Sequence, residues 1–151
     1  MFIQAQIGRA SSSTDALYTC LLTGSGVLLV DQFTKFIADQ YHLVTLNKGI
    51  SFGLLEIGHP ILGGALLIGL GVIVVLILQK YWRQHPVSTG LFVGGALSNI
   101  ADRISRGGVR DWLPLGPLPL KNNLADWAIS LAALMIIITL YQNQTPKQHQ
   151  I

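Results

Sequence analysis

Four apolar stretches, separated by short polar segments, run along the chain at about residues 16–38, 60–79, 86–104 and 124–141. The second is the clearest, because residues 60–78 carry no charged side chain. As a helix this stretch would extend roughly 28 Å, close to the thickness of the hydrocarbon core of a bilayer. The pattern predicts an all-α integral membrane protein with four transmembrane helices.

Small residues distinguish the third stretch from the others. Gly90, Gly94, Gly95 and Ser98 recur along it at short intervals. Small side chains at such spacing let helix backbones approach closely in a membrane. We therefore expect the third span to be an inner helix.

Between the first two spans, over residues 41–56, the pattern becomes mixed. HLVTL is rich in strand formers, and the following NKGISFG is rich in turn formers. We expect a small extramembrane β-rich cradle here, as a strand or a hairpin. Asn47 is either a turn residue or, with Gly49 and Gly53 nearby, part of a backbone that approaches another group closely.

Composition agrees with a single membrane-embedded domain over residues 1–151, since 50% of the residues are hydrophobic and only 11% are charged, against about 25% in ordinary soluble chains. The polar ends, 1–14 and 143–151, are expected to be mobile. The net charge is +3, but the Lys and Arg residues form no basic run, which argues against nucleic-acid binding. Cys20 is the only cysteine and the four His have no ligand spacing, so neither a disulfide nor a metal site is expected.

A polar stripe is predicted at the end of the third span. Asn99, Asp102, Arg103 and Arg106 recur at three- and four-residue spacing, which places them on one face of a helix. In an apolar protein that face must contact protein or water. Asp102 beside Arg103 is interpreted as an internally compensated, structural pair.

Four of the seven acidic residues, Asp31, Asp102, Asp111 and Asp126, lie within or beside predicted spans. A charge in such a place costs about 2.5 to 3.5 kcal/mol on insertion scales. Asp31 and Lys35 form an i, i+4 pair. This pair is either a snorkelling ion pair that marks the membrane surface or a clamp that holds polar loops over the end of the first span.

Asp111 and Asp126 remain without an obvious neutralising neighbour on a helix face, although Arg110 adjoins Asp111. Three prolines between them forbid a continuous helix, so a loop can bring the two acids together. Two close carboxyls in a low-dielectric site cannot both ionise easily, and one keeps a proton near neutral pH. The pair would supply a general base for water and a general acid for a departing amine, which is the chemistry of an aspartic protease.

Five blocks of the sequence, in order, resemble the lipoprotein signal peptidases, the type II signal peptidases of bacteria. The blocks are VDQFTK at 30–35, NKGISFG at 47–53, GGALSNIADR at 94–103, VRDW at 109–112 and NLAD at 123–126. The resemblance covers nearly the whole chain apart from its polar ends.

The resemblance implies an aspartyl endopeptidase of the plasma membrane. Such an enzyme cleaves prolipoproteins on the amino side of a diacylglyceryl-modified lipobox cysteine and needs no metal or cofactor. Both termini would be cytoplasmic, and the site would lie near the outer leaflet. The implied partners are diacylglyceryl-modified prolipoproteins and membrane lipid, and we expect a monomer.

The resemblance also implies roles for nine residues. The catalytic dyad would be Asp111 and Asp126. The residues that line and brace the site would be Asn99, Asp102, Arg103 and Asn123. Its outer rim would be formed by Asp31, Lys35 and Asn47. Four positions depart from the residues that are common in the family, and they are Ser51, Ser98, Trp112 and Asn122. The departures near the dyad are expected to alter the pocket wall or the lipobox preference.

The residues alone leave other functions open. The main alternative is a small proton- or ion-conducting membrane protein in which the four aspartates form a relay. A second is a structural partner that assembles through the glycine-rich third helix. A serine-lysine protease is opposed by Asp31, which would hold Lys35 protonated.

Overall fold

The computed structural model describes residues 13–49, 82–118 and 120–144. Within these ranges it contains three long helices, α1 (Ser13–Gln40), α2 (Pro86–Arg106) and α3 (Leu124–Gln144). They coincide with the first, third and fourth predicted spans. The predicted second span, 60–79, lies outside the described residues. Ser13 and Thr14, which were expected in a mobile end, are part of α1.

By length and composition, two of the described helices could cross a membrane: α1, and α3 over Leu124–Gln142. Their surfaces are apolar, with Leu22 in α1 exposed over 73% of its area and Ile137 in α3 over 61%. Asp31 and Lys35 of α1 are completely buried in contrast. Exposed apolar and buried polar side chains reverse the usual arrangement of a soluble protein, as expected of helices that face lipid.

Glycines bring α2 close to both of its neighbours. A Cβ at Gly90 would lie 2.6 Å from the carbonyl oxygen of Cys20, and one at Gly94 would overlap the backbone of Gly24. On the other side, a Cβ at Gly95 would lie 2.7 Å from the carbonyl oxygen of Ala125 in α3. The prediction of an inner helix with close backbone contacts is therefore confirmed among the described helices.

The ends of α2 follow from local chemistry. Pro86 occupies the first turn, where its fixed φ suits a helix and no N–H is needed. Gly107 ends the helix with a φ of 72° and donates its N–H to the carbonyl oxygen of Arg103 at 3.0 Å. This left-handed cap, which glycine adopts without strain, reverses the chain so that the next strand returns along the end of α2.

Short antiparallel ribbons connect the helix ends. β1 (Thr45–Asn47) pairs with β2 (Val109–Asp111), with Thr45 opposite Asp111. β3 (Leu113–Pro114) pairs with β4 (Lys121–Asn122). The strand expected in residues 41–56 is therefore present in its described part, but its partner is β2, which is distant in sequence, and residues 50–56 lie outside the described ranges.

Candidate active site

Asp111 and Asp126 meet at one asparagine. Asp111 ends β2 and Asp126 lies in the first turn of α3. The Nδ2 group of Asn123 donates to Asp111 Oδ1 at 2.6 Å and to Asp126 Oδ2 at 3.1 Å. Because Asp111 Oδ1 and Asp126 Oδ2 contact the same nitrogen, the distance between them cannot exceed the sum of the two hydrogen-bond lengths.

Two further asparagines donate to the outer oxygens of the pair. Asn47 Nδ2 donates to Asp111 Oδ2 at 2.8 Å, and Asn99 Nδ2 donates to Asp126 Oδ1 at 2.8 Å. Each of the four carboxyl oxygens thus accepts an amide N–H. Hydrogen bonds of this kind favour the ionised form of a carboxyl group and hold its orientation.

Backbone donors fix the orientation of two of these amides. The Gly49 N–H donates to Asn47 Oδ1 at 3.0 Å, and the Asp126 N–H donates to Asn123 Oδ1 at 2.9 Å. A backbone N–H can only donate, so the side-chain atom that faces it must be oxygen and the nitrogen must point towards the acids. The bond from the Asp126 N–H to Asn123 Oδ1 is also the N-cap of α3.

A lysine fixes the third amide. Lys35 Nζ donates to Asn99 Oδ1 at 2.9 Å. It also contacts Asp31 Oδ2 at 2.7 Å and Asp102 Oδ2 at 3.1 Å. An ammonium group has three N–H donors, and these three acceptors use all of them.

The burial of Asp31 and Lys35 decides between the two interpretations of this pair. Both side chains are completely buried, so they do not snorkel to the membrane surface, and they are not exposed at an outer rim. Asp31 also accepts from the Ala125 N–H at 2.9 Å and from the Ser98 hydroxyl at 2.7 Å. The pair is therefore a clamp, which joins α1 to α2 and to the first turn of α3. Asn47, the third predicted rim residue, contacts the dyad itself.

Arg110, and not Arg103, neutralises Asp102. Its backbone N–H donates to Asp102 Oδ2 at 3.0 Å, and its guanidinium donates to Asp102 Oδ1 from NH2 at 2.6 Å and from Nε at 3.1 Å. The interpretation of Asp102 and Arg103 as a pair is wrong because adjacent residues of a helix point to different sides. Arg106, the last member of the predicted stripe, is partly exposed and pairs with Asp39 at 2.9 Å.

Arg103 instead contacts two backbone carbonyl groups. Its guanidinium donates to the Gly49 carbonyl oxygen at 3.3 Å and to the Asn99 carbonyl oxygen at 3.4 Å. Its positive charge attracts the carboxylates of Asp126, Asp111 and Asp102. Among the ion pairs of the described residues, none includes Arg103.

Burial raises the pKa of the Asp111 carboxyl above its ordinary value. The hydrogen bonds from Asn47 and Asn123 and the charges of Lys35 and Arg103 act in the opposite direction but do not cancel the effect. A carboxyl with a raised pKa retains its proton to a higher pH, which suits one member of an acid pair that shares a proton.

Two polar residues without a predicted role in the site, Gln32 and Ser98, extend the Asp31–Lys35 clamp to Asp102 and Arg110. Gln32 Nε2 donates to the Ser98 hydroxyl at 2.8 Å and to Asp102 Oδ1 at 3.1 Å, and its Oε1 accepts from Arg110 at 2.6 Å. Ser98 and Asp102 are four residues apart on α2, and Gln32 follows Asp31. That spacing was a visible signal, but the small size of Ser98 favoured an interpretation as a packing residue.

Two of the remaining departures, Trp112 and Asn122, are next to Asp111 and Asn123 in the sequence. With its amide oriented to satisfy both neighbours, Asn122 donates to the Leu113 carbonyl oxygen at 3.1 Å and accepts from Trp127 Nε1 at 2.9 Å, so it joins the β3–β4 ribbon to α3. Trp112 lies between β2 and β3. Ser51 lies outside the described residues. In the described part of the chain, no three His, Cys, Asp or Glu side chains are grouped as a metal ion would require.

Comparison with known proteins shows which family the chain is similar to. The family model for signal peptidase (SPase) II matches residues 24–142. The lipoprotein signal peptidase of Sulfurovum sp. (strain NBC37-1) is 33% identical over 134 residues, which cover 80% of this chain and 91% of that protein. That of Halothermothrix orenii is 32% identical over 138 residues, which cover 78% and 92%.

A solved structure shows the same fold. A bacterial membrane enzyme determined by the in meso method at 2.3 Å resolution aligns with a TM-score of 0.69, over 89% of this chain and 94% of that one, at 22% identity. From the family match and the identity to these relatives, the chain belongs to the signal peptidase II family of peptidases.

Proposed function

We propose that this chain is an intramembrane aspartyl endopeptidase that removes signal peptides from bacterial prolipoproteins. Membership of the signal peptidase II family supports the processing of lipoprotein signal peptides by a membrane peptidase. The finer proposal is that cleavage occurs on the amino side of the diacylglyceryl-modified lipobox cysteine. The observation that supports the aspartyl chemistry is the contact of both Asp111 and Asp126 with the single amide of Asn123.

The proposed reaction needs only the two carboxyls and water. With one proton between them, the ionised carboxyl takes a proton from a water molecule as its oxygen attacks the scissile carbonyl carbon. The protonated carboxyl then donates to the amide nitrogen as the C–N bond breaks. Water is the nucleophile, so no covalent intermediate with the protein forms, and the pair has regained its single proton after both steps. Because the two carboxyls titrate as a coupled pair, neither is assigned as the acid or the base by itself.

The surrounding side chains support this assignment. Asn47, Asn99 and Asn123 hold all four oxygens by N–H donors, so the acids need little reorientation during the reaction. A pair that shares one proton carries one negative charge, and the positive charges of Lys35 and Arg103 both attract it. Asp102 and Asp31 serve this proposal as bracing residues, through Arg110 and Lys35.

The helix arrangement supports four spans. Contacts between Asp31 and Ser98 and between Asp39 and Arg106 show that α1 and α2 run in the same direction. Gly49 contacts Arg103 near the end of α2, whereas Trp82 precedes the start of α2. These two residues therefore lie at opposite ends of that helix. A crossing between them, at the predicted second span 60–79, would meet this requirement.

The proposed substrate is held by its lipid. The exposed apolar side chains of α1 and α3 suit contact with acyl chains, each buried methylene of which contributes about 0.8 kcal/mol. We place the enzyme in the bacterial plasma membrane as a monomer, with both termini cytoplasmic and the dyad near the outer leaflet. A lipid-anchored peptide would then reach the acids by diffusion within the membrane.

The test uses the purified protein in lipid with a diacylated lipobox peptide. The wild-type protein should cleave it, and the Asp111→Asn and Asp126→Asn variants should each be inert. Asp39→Asn is the matched control, because Asp39 is an acid at the same end of the helices that pairs with the partly exposed Arg106. If both dyad variants cut as fast as the control, the assignment of the dyad is wrong.

The same preparation tests the alternative of a proton or ion conductor. A relay through the four aspartates requires groups that can exchange protons, but Asp31 and Asp102 are held by Lys35 and Arg110 at 2.7 and 2.6 Å. Proton flux in liposomes without any cleavage would favour the relay over the peptidase.

A further inference from the structure

We infer that Lys35 is a positioning residue for the reaction and acts on Asp126 through the side chain of Asn99. The inference rests on the proposed function and adds a role to the clamp. Lys35 Nζ lies 2.9 Å from Asn99 Oδ1, and Asn99 Nδ2 lies 2.8 Å from Asp126 Oδ1. One residue from each of α1, α2 and α3 therefore forms a single chain of hydrogen bonds that ends on the dyad.

The direction of this chain follows from the donors and acceptors. An ammonium group cannot accept a hydrogen bond, so the Asn99 atom that faces Lys35 must be the oxygen. The other end of the amide is then the nitrogen, which presents an N–H to Asp126. If the amide turned over, two oxygens would face each other at hydrogen-bond distance, and the carboxylate would be repelled. Lys35 thus holds the donor of Asp126 in place without contacting Asp126 itself.

Lys35 makes this contact from a rigid position. Its side chain is completely buried, and its other two donors are taken by Asp31 and Asp102. Asp31 also accepts the Ala125 N–H in the first turn of α3, one residue before Asp126. The clamp therefore sets the position of the α3 backbone and, through Asn99, the position of the Asp126 carboxyl.

A simple Lys35→Met change cannot test the inference, because it leaves Asp31 and Asp102 buried with a cation removed and is expected to unfold the protein. The Asp31→Asn/Lys35→Met double variant removes one charge of each sign. Asn at position 31 can still accept the Ala125 N–H and can donate to the Ser98 hydroxyl, which accepts as well as donates. Asp102 keeps Arg110 and Gln32.

A positioning role and a purely structural role predict different outcomes for this double variant. If Lys35 positions Asp126, the double variant folds but its kcat falls on the order of 10- to 100-fold, the effect of losing a hydrogen bond to a charged group. Its KM stays within about twofold, because substrate contacts are unchanged. Arg83→Met, which removes an exposed cation just before the start of α2, is the control and should retain wild-type kcat. Wild-type kcat in the folded double variant would overturn the inference.

Asn99→Ala provides a second test that keeps both ion pairs of Lys35, although it removes one of the three acceptors of the ammonium group. Lys35 keeps both of its carboxylates in this variant, while Asp126 loses one donor. We expect the same fall in kcat at unchanged KM, and no further fall when the double change is added, because both changes interrupt one chain. Wild-type kcat in Asn99→Ala would overturn the inference even if the double variant does not fold. Failure of the wild-type protein to cleave would instead reject the proposed function.

Discussion

Asn123 combines two tasks that substitutions can separate. Its oxygen accepts the Asp126 N–H at 2.9 Å and so caps α3, while its nitrogen donates to both members of the dyad. Serine is a good N-cap and can still accept that N–H. Serine has a single hydroxyl hydrogen, so it cannot donate to two carboxyls at once. Alanine can do neither.

The expected magnitudes follow from these contacts. Loss of an N-cap costs about 0.5 to 2 kcal/mol, so Asn123→Ser should be about 1 kcal/mol more stable than Asn123→Ala. Both variants lose the shared amide donor, so both should cleave the diacylated peptide on the order of 100-fold more slowly, as when a preorganised donor is removed from a charged site. Serine and alanine at position 123 should therefore differ in stability but not in cleavage rate.

The assay pairs thermal unfolding in detergent with cleavage kinetics on the same preparations. The reasoning requires that serine rescues stability relative to alanine and does not rescue kcat. If Asn123→Ser cleaves at the wild-type rate, the bridge between the acids has no part in the reaction. If the two variants unfold at the same temperature, the cap contributes nothing measurable to α3.

Three further predictions concern stability. Burial raises the pKa of Asp111 in the folded protein above its unfolded value, so ionisation of this carboxyl costs stability as the pH rises above about 4. The Tm of Asp111→Asn should therefore increase relative to the wild-type Tm as the pH rises. A Tm difference that does not change with pH would contradict this. Gly94→Ala should cost about 1 to 3 kcal/mol by overpacking against α1, whereas Gly26→Ala, where a Cβ meets no heavy atom within 4 Å, should be neutral or gain up to about 1 kcal/mol in thermal unfolding. Ser98→Ala should cost about 1.5 to 3 kcal/mol, since its hydroxyl donates to a buried carboxylate; an unchanged Tm would show that the other donors satisfy that group.

The helices were predictable because the membrane requires long apolar stretches and internal backbone hydrogen bonding. The predicted range 16–38 falls within α1 (Ser13–Gln40), and 86–104 falls within α2 (Pro86–Arg106). Their ends extend beyond the apolar residues, because a helix continues into polar sequence until a cap or a turn stops it. Small residues at short spacing identified the inner helix for the same reason, since lipid-embedded helices associate by close packing.

The ion pairs were less predictable, because the sequence shows neighbours along the chain and not neighbours in space. The sequence pairs Asp102 with Arg103, the adjacent cation, whereas its partners are Arg110 and Lys35. The pairing with Arg110 depends on the left-handed turn at Gly107, which brings β2 back along α2. The two consecutive glycines were a visible sign of such a turn, but no local rule gives the register of the strand that follows.

The proximity of Asp111 and Asp126 was predictable in part. The prolines between them excluded a continuous helix, and the described part of that segment forms the β3–β4 ribbon. Their meeting on Asn123 required the fold, since it depends on where β2 ends relative to the first turn of α3. The catalytic roles of the two acids remain predictions that the variants above test.

The proposed chemistry requires that the cluster of four buried charges beside the dyad is neutral. Two acids, Asp31 and Asp102, and two cations, Lys35 and Arg110, satisfy one another in the protein interior. If either cation were free to pair with Asp111, both dyad carboxyls could ionise, and no proton would remain for the departing amine. Although these cations bind their own carboxylates, the charge of Lys35 still acts on Asp111 together with that of Arg103, and burial nevertheless keeps the pKa of Asp111 raised. In the proposed mechanism, these ion pairs would preserve the proton of the acid pair as well as the fold.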